Sequence, residues 1–182
     1  MKNLMIAITL LLGSSVSHGA VMMNLPSTDV AVNDIFTVEV IGTGFAKPLA
    51  GFGIDLEFNQ SVLKLRSIEI DDSWEFSKSQ PKAEVGSAKD VGGASFFGVE
   101  NKPGAPIKFA RFEFLAMADG LSELLLKIAD DPVYVWADNE GNKVSPDFIN
   151  SQIQVSNVPV PAAFWLMSSA IGWGVITGRR RA

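Results

Sequence analysis

Alternation of apolar and polar residues dominates the chain between residues 30 and 156. Phe36, Val38 and Val40 share one side of a segment whose other side carries Thr37 and Glu39. Phe52, Ile54, Leu56 and Phe58 alternate with Gly53, Asp55, Glu57 and Asn59. Leu63 and Leu65 alternate with Lys64 and Arg66, and Ile68 and Ile70 follow; Ala110, Phe112 and Phe114 alternate with Arg111 and Glu113. Leu124, Leu126 and Ile128 line one side of a further run. Val133 and Val135 oppose Tyr134 and Trp136, and Ile149, Ile153 and Val155 end the series with Asn150, Gln152 and Gln154 facing out. A period of two marks strands buried on one face only. Turn signals separate the runs at Gly42 to Gly44, Asn59 to Ser61, Gly92-Gly93, Pro103 to Pro106, Asp119-Gly120, Asp131-Pro132 and Asn139 to Asn142. Many short strands at this spacing predict an all-β fold, a jelly-roll β-sandwich. One helical turn is expected at Asn59 to Leu65, and Ser73 to Lys78 fits helix or loop.

The two ends break this pattern. Residues 1–19 join Lys2, an apolar run from Leu4 to Leu12 and a small-residue stretch that ends at Ser17 and Gly19. That order is a signal peptide, with cleavage expected after Gly19. Residues 20–157 then form the sandwich domain, and residues 158–182 a separate tail. From Ala162 to Gly178 the tail has 17 residues without a charge. As a helix of ~1.5 Å per residue this reaches roughly 25 Å, near the lower limit for a transmembrane helix. Arg179, Arg180 and Arg181 follow as a stop-transfer block that stays cytoplasmic, which places the preceding domain outside.

Composition narrows the chemistry. There is no cysteine, and the one histidine, His18, falls in the removable leader. Disulfides, thiolate zinc sites and every histidine-based triad are thereby excluded from the mature domain. All 20 acidic residues lie within 21–157 with 11 of the 15 basic ones, a body charge of −9. Such a surface repels nucleic acid and anionic membranes. No cofactor is implied.

Four groups of residues remain as candidate sites. Trp136 and Trp74, with Tyr134 and Phe76, offer aromatic rings for stacking a ligand such as a sugar, or else belong to the core. Asp138, Asn139 and Glu140 carry oxygen ligands of the kind calcium takes, although turn chemistry alone also places Asp and Asn there. Asp55 and Glu57 fall on one strand face at i, i+2, as a pair of carboxylates for glycoside hydrolysis or as part of a solvated sheet face. The fourth group, Val158, Pro159, Val160 and Pro161, holds the chain extended before the apolar span.

Two resemblances follow from these residues. The order Val158-Pro159-Val160-Pro161, apolar span, Arg179-Arg180-Arg181 resembles the PEP-CTERM sorting signal, with Val160 where that signal has a glutamate. The resemblance implies processing near the proline motif by an exosortase-like membrane transpeptidase. It further implies a Gram-negative-type cell that makes exopolysaccharide and biofilm. The body, from VAVNDIFTVEVIGTGFAKPLAGFGIDLEF through FARFEFLAMADGLSELLLKIADDPVYVWADNEGN to INSQIQV, resembles a cohesin-type domain, a jelly roll related to carbohydrate-binding modules. Together they imply an exported, non-enzymatic surface or matrix protein. Its ligand would be a protein or a polysaccharide. A carbohydrate-binding module and a secreted glycoside hydrolase are the alternatives.

Overall fold

The computed structural model describes residues 19–76, 82–102 and 104–157. Residues 1–18 of the leader, Val158 to Pro161, the apolar span and Arg179 to Arg181 lie outside these residues. Among the described residues no helix is long and apolar enough to cross a membrane.

Among the described residues, twelve strands form two sheets: β1 (Ala20–Asn24), β2 (Asp29–Ala31), β3 (Ile35–Thr43), β4 (Leu49–Glu57), β5 (Leu63–Ile70), β6 (Lys82–Glu84), β7 (Ser87–Val99), β8 (Ile107–Ala116), β9 (Gly120–Ile128), β10 (Ala137–Asp138), β11 (Asp147–Ile149) and β12 (Ser151–Ser156). One sheet runs β11-β1-β3-β8-β5. The other runs β2-β12-β9-β4-β7-β6, with β10 added beside β4. Gly44 to Pro48 therefore carries the chain from one sheet to the other; β3 and β4, successive in sequence, are not paired. Two parallel pairs tie the start of the chain to its end, β1 with β11 and β2 with β12.

The alternation works as expected in most strands. Val38, Val40, Phe112 and Phe114 point inward from one sheet, against Ile54, Leu56, Leu124, Ile153 and Val155 from the other. Two sheets that each hide one apolar face have no other way to remove it from water. At one pole the core is aromatic: Phe52 packs on Trp74, Phe109 and Trp136 with ring centroids 4.6, 4.9 and 6.0 Å apart.

Two expectations are corrected. Gly92-Gly93 is not a turn but lies inside the long strand β7. Residues 133–136 are not a strand. Asp131 Oδ1 accepts the Val133 amide hydrogen at 2.9 Å, and the Asp131 carbonyl accepts that of Tyr134, an Asx turn that Pro132 accommodates. The stretch 129–136 instead leaves the sheet as a loop and returns at β10. At Asn59 a single turn forms, with the Leu63 amide bonded to the Asn59 carbonyl. Of Ser73 to Lys78, the described part is turn, and residues 77 and 78 lie outside the described set.

Candidate functional site

The outward faces of the two sheets differ in kind. On the β3-β8-β5 face, alternation sets charges side by side. Arg111 bridges Glu39 at 3.0 Å and Glu69 at 3.6 Å, and Arg66 meets Glu113 at 3.5 Å. The Arg111 hydrogen bond holds the Glu39 carboxyl below its ordinary value. These exposed pairs form a solvated ladder.

The other sheet loses its side chains where β4 and β7 meet. Gly53 pairs with Gly92, and Gly51 with Ala94. The loop 129–136 lies over this bare strip, with Tyr134 as its foot. A Cβ on Gly53 would sit 2.3 Å from Tyr134 Cβ, and one on Gly92 2.4 Å from Tyr134 Cδ1, so the ring reaches the backbone only because both residues are glycine. Two anchors hold the loop. The Gly53 carbonyl accepts the Ala129 amide at 3.1 Å and the Trp136 indole N–H at 2.7 Å, which fills the gap in the ladder between β9 and β10. Asp55, buried beneath the start of the loop, accepts the Asp90 amide hydrogen at 2.9 Å, and Lys89 pairs with Asp130 at 3.4 Å. Burial, more than the nearby Asp130 charge, pushes the Asp55 carboxyl up.

Between loop and sheet runs an open groove of about 470 Å³, lined by Ala50, Gly51, Ala94, Phe76, Val133 and Val135. Phe76 meets Phe96 edge to face at 4.8 Å. Phe76, Phe96, Val133 and Val135 are 47, 78, 78 and 49% exposed, so a contiguous apolar surface faces water in an otherwise acidic domain. Exposed apolar clusters of this kind mark interaction sites. Among the described lining residues the Tyr134 phenol is the one titratable group.

The residues expected from sequence fall elsewhere. Trp74 and Trp136 are each 2% exposed and belong to the core, which corrects their reading as a ligand platform. Their indole N–H groups are bonded inward, to the Lys108 and Gly53 carbonyls. Asp55 and Glu57 do share a face, but Asp55 is enclosed and Glu57 pairs with Lys127 at 2.6 Å. They form no open carboxylate pair. The Asp138 carboxylate accepts the amides of Glu140 and Asn142 and the side-chain amide of Asn142, at 2.9, 2.8 and 3.0 Å. Lys47 sits 2.6 Å from Glu140 and 3.8 Å from Asp138, its ammonium where a cation would go. Asp138, Asn139 and Glu140 thus build a turn, which corrects the calcium candidate. Among the described residues no three acidic or histidine side chains are grouped to hold a metal. Of the four aromatics the sequence offers, Phe76 and Tyr134 line the groove, while Trp74 and Trp136 do not. Phe96 is the aromatic that the sequence does not single out, because nothing in its spacing separates it from a core phenylalanine near the end of β7.

No protein-family pattern matches the chain, and no curated protein does. Solved structures do match in fold. A cohesin module from a Clostridium perfringens family 33 glycoside hydrolase aligns over 78% of this chain and 99% of its own, at 15% identity and a TM-score of 0.63. The fold is cohesin-like. A non-cellulosomal cohesin from the hyperthermophilic archaeon Archaeoglobus fulgidus aligns over 81% of this chain and 96% of its own, at 15% identity and a TM-score of 0.57. The sixth cohesin of scaffoldin B from Acetivibrio cellulolyticus, solved in complex with a dockerin, aligns over 76% and 99%, at 11% identity and a TM-score of 0.59. At these identities the likeness concerns the fold alone.

Proposed function

We propose that this protein is an exported, non-enzymatic binding module that holds a partner protein in the apolar groove between β4, β7 and the loop 129–136. The observation that carries the reading is the groove itself: exposed phenylalanines and valines laid over a glycine-paved strip of an acidic, cohesin-like sandwich. A cohesin of this fold, the Acetivibrio one, was solved with a protein bound to it, which supports a protein ligand here.

The arrangement also supports display. The groove lies at the Leu49 end of β4, whereas β12 ends beside Gly120 and Ala31, at the opposite pole. The span between them is roughly 35 Å at ~3.3 Å per residue. A chain tethered beyond Asn157 would thus present the groove away from its anchor. In this reading residues 1–19 direct export, Ala162 to Gly178 hold the chain in the inner membrane, and an exosortase-like transpeptidase cuts near Val158 to Pro161. The product is released to, or fixed at, the surface of a Gram-negative-type cell.

Two experiments test the two halves. Intact-mass spectrometry of protein recovered from its native host should give a C-terminus near Val158 to Ala163; a mass that retains Arg179 to Arg181 contradicts the processing. Phe76→Ser with Phe96→Ser should abolish association with the partner while the thermal unfolding transition stays in place, because both rings are exposed; undiminished association removes the groove from the account.

A further inference from the structure

Near its end β7 carries two adjacent phenylalanines that serve different surfaces. Phe96 leans on Phe76 at the rim of the apolar groove. Phe97 is 84% exposed and lines a second groove of about 480 Å³ on the far side of the 74–76 segment. The split is built in. The Phe76 amide bonds to the Ala94 carbonyl and the Phe96 amide to Glu75 Oε2 at 3.1 Å, which fastens the segment along β7. Gly98, at φ +78°, lies at the register shift between the Gly51–Ala94 and Leu49–Val99 pairs.

The second groove has a different chemistry from the first. The groove is also lined by Asp71, Glu75 and Glu100, by Lys102 and Lys108, and by Ser73 and Ser95. An apolar side chain placed there would strip water from charged groups and return no hydrogen bonds. An anionic ligand would meet a lining with more acidic than basic residues, on a body whose charge is −9. A neutral pyranose suits both parts of the surface. Its C–H face is apolar and weakly electropositive, which fits the electron-rich face of the ring. Its hydroxyls both donate and accept, so they can meet carboxylates and ammoniums alike. The volume falls within the range of small-ligand sites.

We propose that this groove binds a sugar unit of a neutral polysaccharide, stacked on Phe97. The site is separate from the apolar groove and does not depend on what the apolar groove holds. Both open at the pole opposite Asn157, so one molecule can hold a protein and a polysaccharide side by side.

The test is native affinity electrophoresis of the full chain in a sugar-free non-ionic detergent. The gels contain hydroxyethylcellulose, galactomannan or dextran, with alginate as the polyanion. The expected result is retardation in at least one neutral gel and none in alginate. Phe97→Ala should weaken it about tenfold, the scale of one aromatic stacking contact. Phe97→Trp should keep it, and Phe96→Ala should leave it unchanged. No retardation in all three neutral gels overturns the proposal. So does retardation that Phe97→Ala leaves intact, or binding that appears only in alginate. Thermal unfolding of Phe97→Ala at the wild-type temperature confirms that a loss is local.

Discussion

At the residue scale the site depends on what is missing. Gly53 and Gly92 face each other across β4 and β7, and the space their side chains would fill is occupied by Tyr134. Gly92→Ala should therefore destabilise the domain by about 1–3 kcal/mol, the usual range for overpacking a filled site. A double-mutant cycle with Tyr134→Ala, read by denaturant unfolding, should recover part of that loss; strict additivity would mean that the ring does not press on the strip. The tryptophans carry the opposite lesson. Residue type alone could not say whether Trp74 and Trp136 face solvent or core, because both lie in turns where period two no longer assigns a face. What decides is the inward bond of each indole, to the carbonyls of Lys108 and Gly53, which are remote in sequence.

At the element scale the turn Asp138 to Asn142 seals the pole next to the groove. The Asn142 side chain, with the backbone amides of Asn142 and Glu140, holds the Asp138 carboxyl below the ordinary aspartate value. A group whose pKa is depressed by folding stabilises the fold above its unfolded pKa, and that contribution is lost as pH falls through the folded one. The Asn142 amide resonance should accordingly titrate at a pH below that of an exposed aspartate; a midpoint at the ordinary value would contradict the hydrogen-bonded turn. Asp55 has the reverse sign. Its pKa is raised by burial, so its ionisation costs stability as pH rises through the folded value. Most strands were readable at this scale, because one buried face per sheet imposes period two. β7 was not, because Gly92-Gly93 carries the local signal of a turn, and only Tyr134 from outside and Trp74 from inside explain a glycine pair in mid-strand.

At the scale of the whole molecule, the sandwich follows from many alternating runs, each with one face to hide, and the cohesin-like arrangement agrees with the order of those runs. The groove does not follow in the same way. It is assembled from β4, the Phe76 turn, β7 and the loop 129–136, segments that meet only after the two sheets have formed. Nothing local marks Ala50 or Val133 as neighbours. The contrast between the faces belongs to this scale too: a ladder of ion pairs on one side, an unpaired apolar trough on the other. The central claim is that the trough, and not the ladder, meets a partner. The direct measurement places a photo-crosslinking amino acid at position 96 or at position 37, on the charged face, in cells that make the protein. The account predicts one discrete, mass-identified protein adduct from position 96. Excess purified wild-type protein should suppress it, and position 37 should give none. Equal adducts from both positions, or an adduct from position 37 alone, would contradict it.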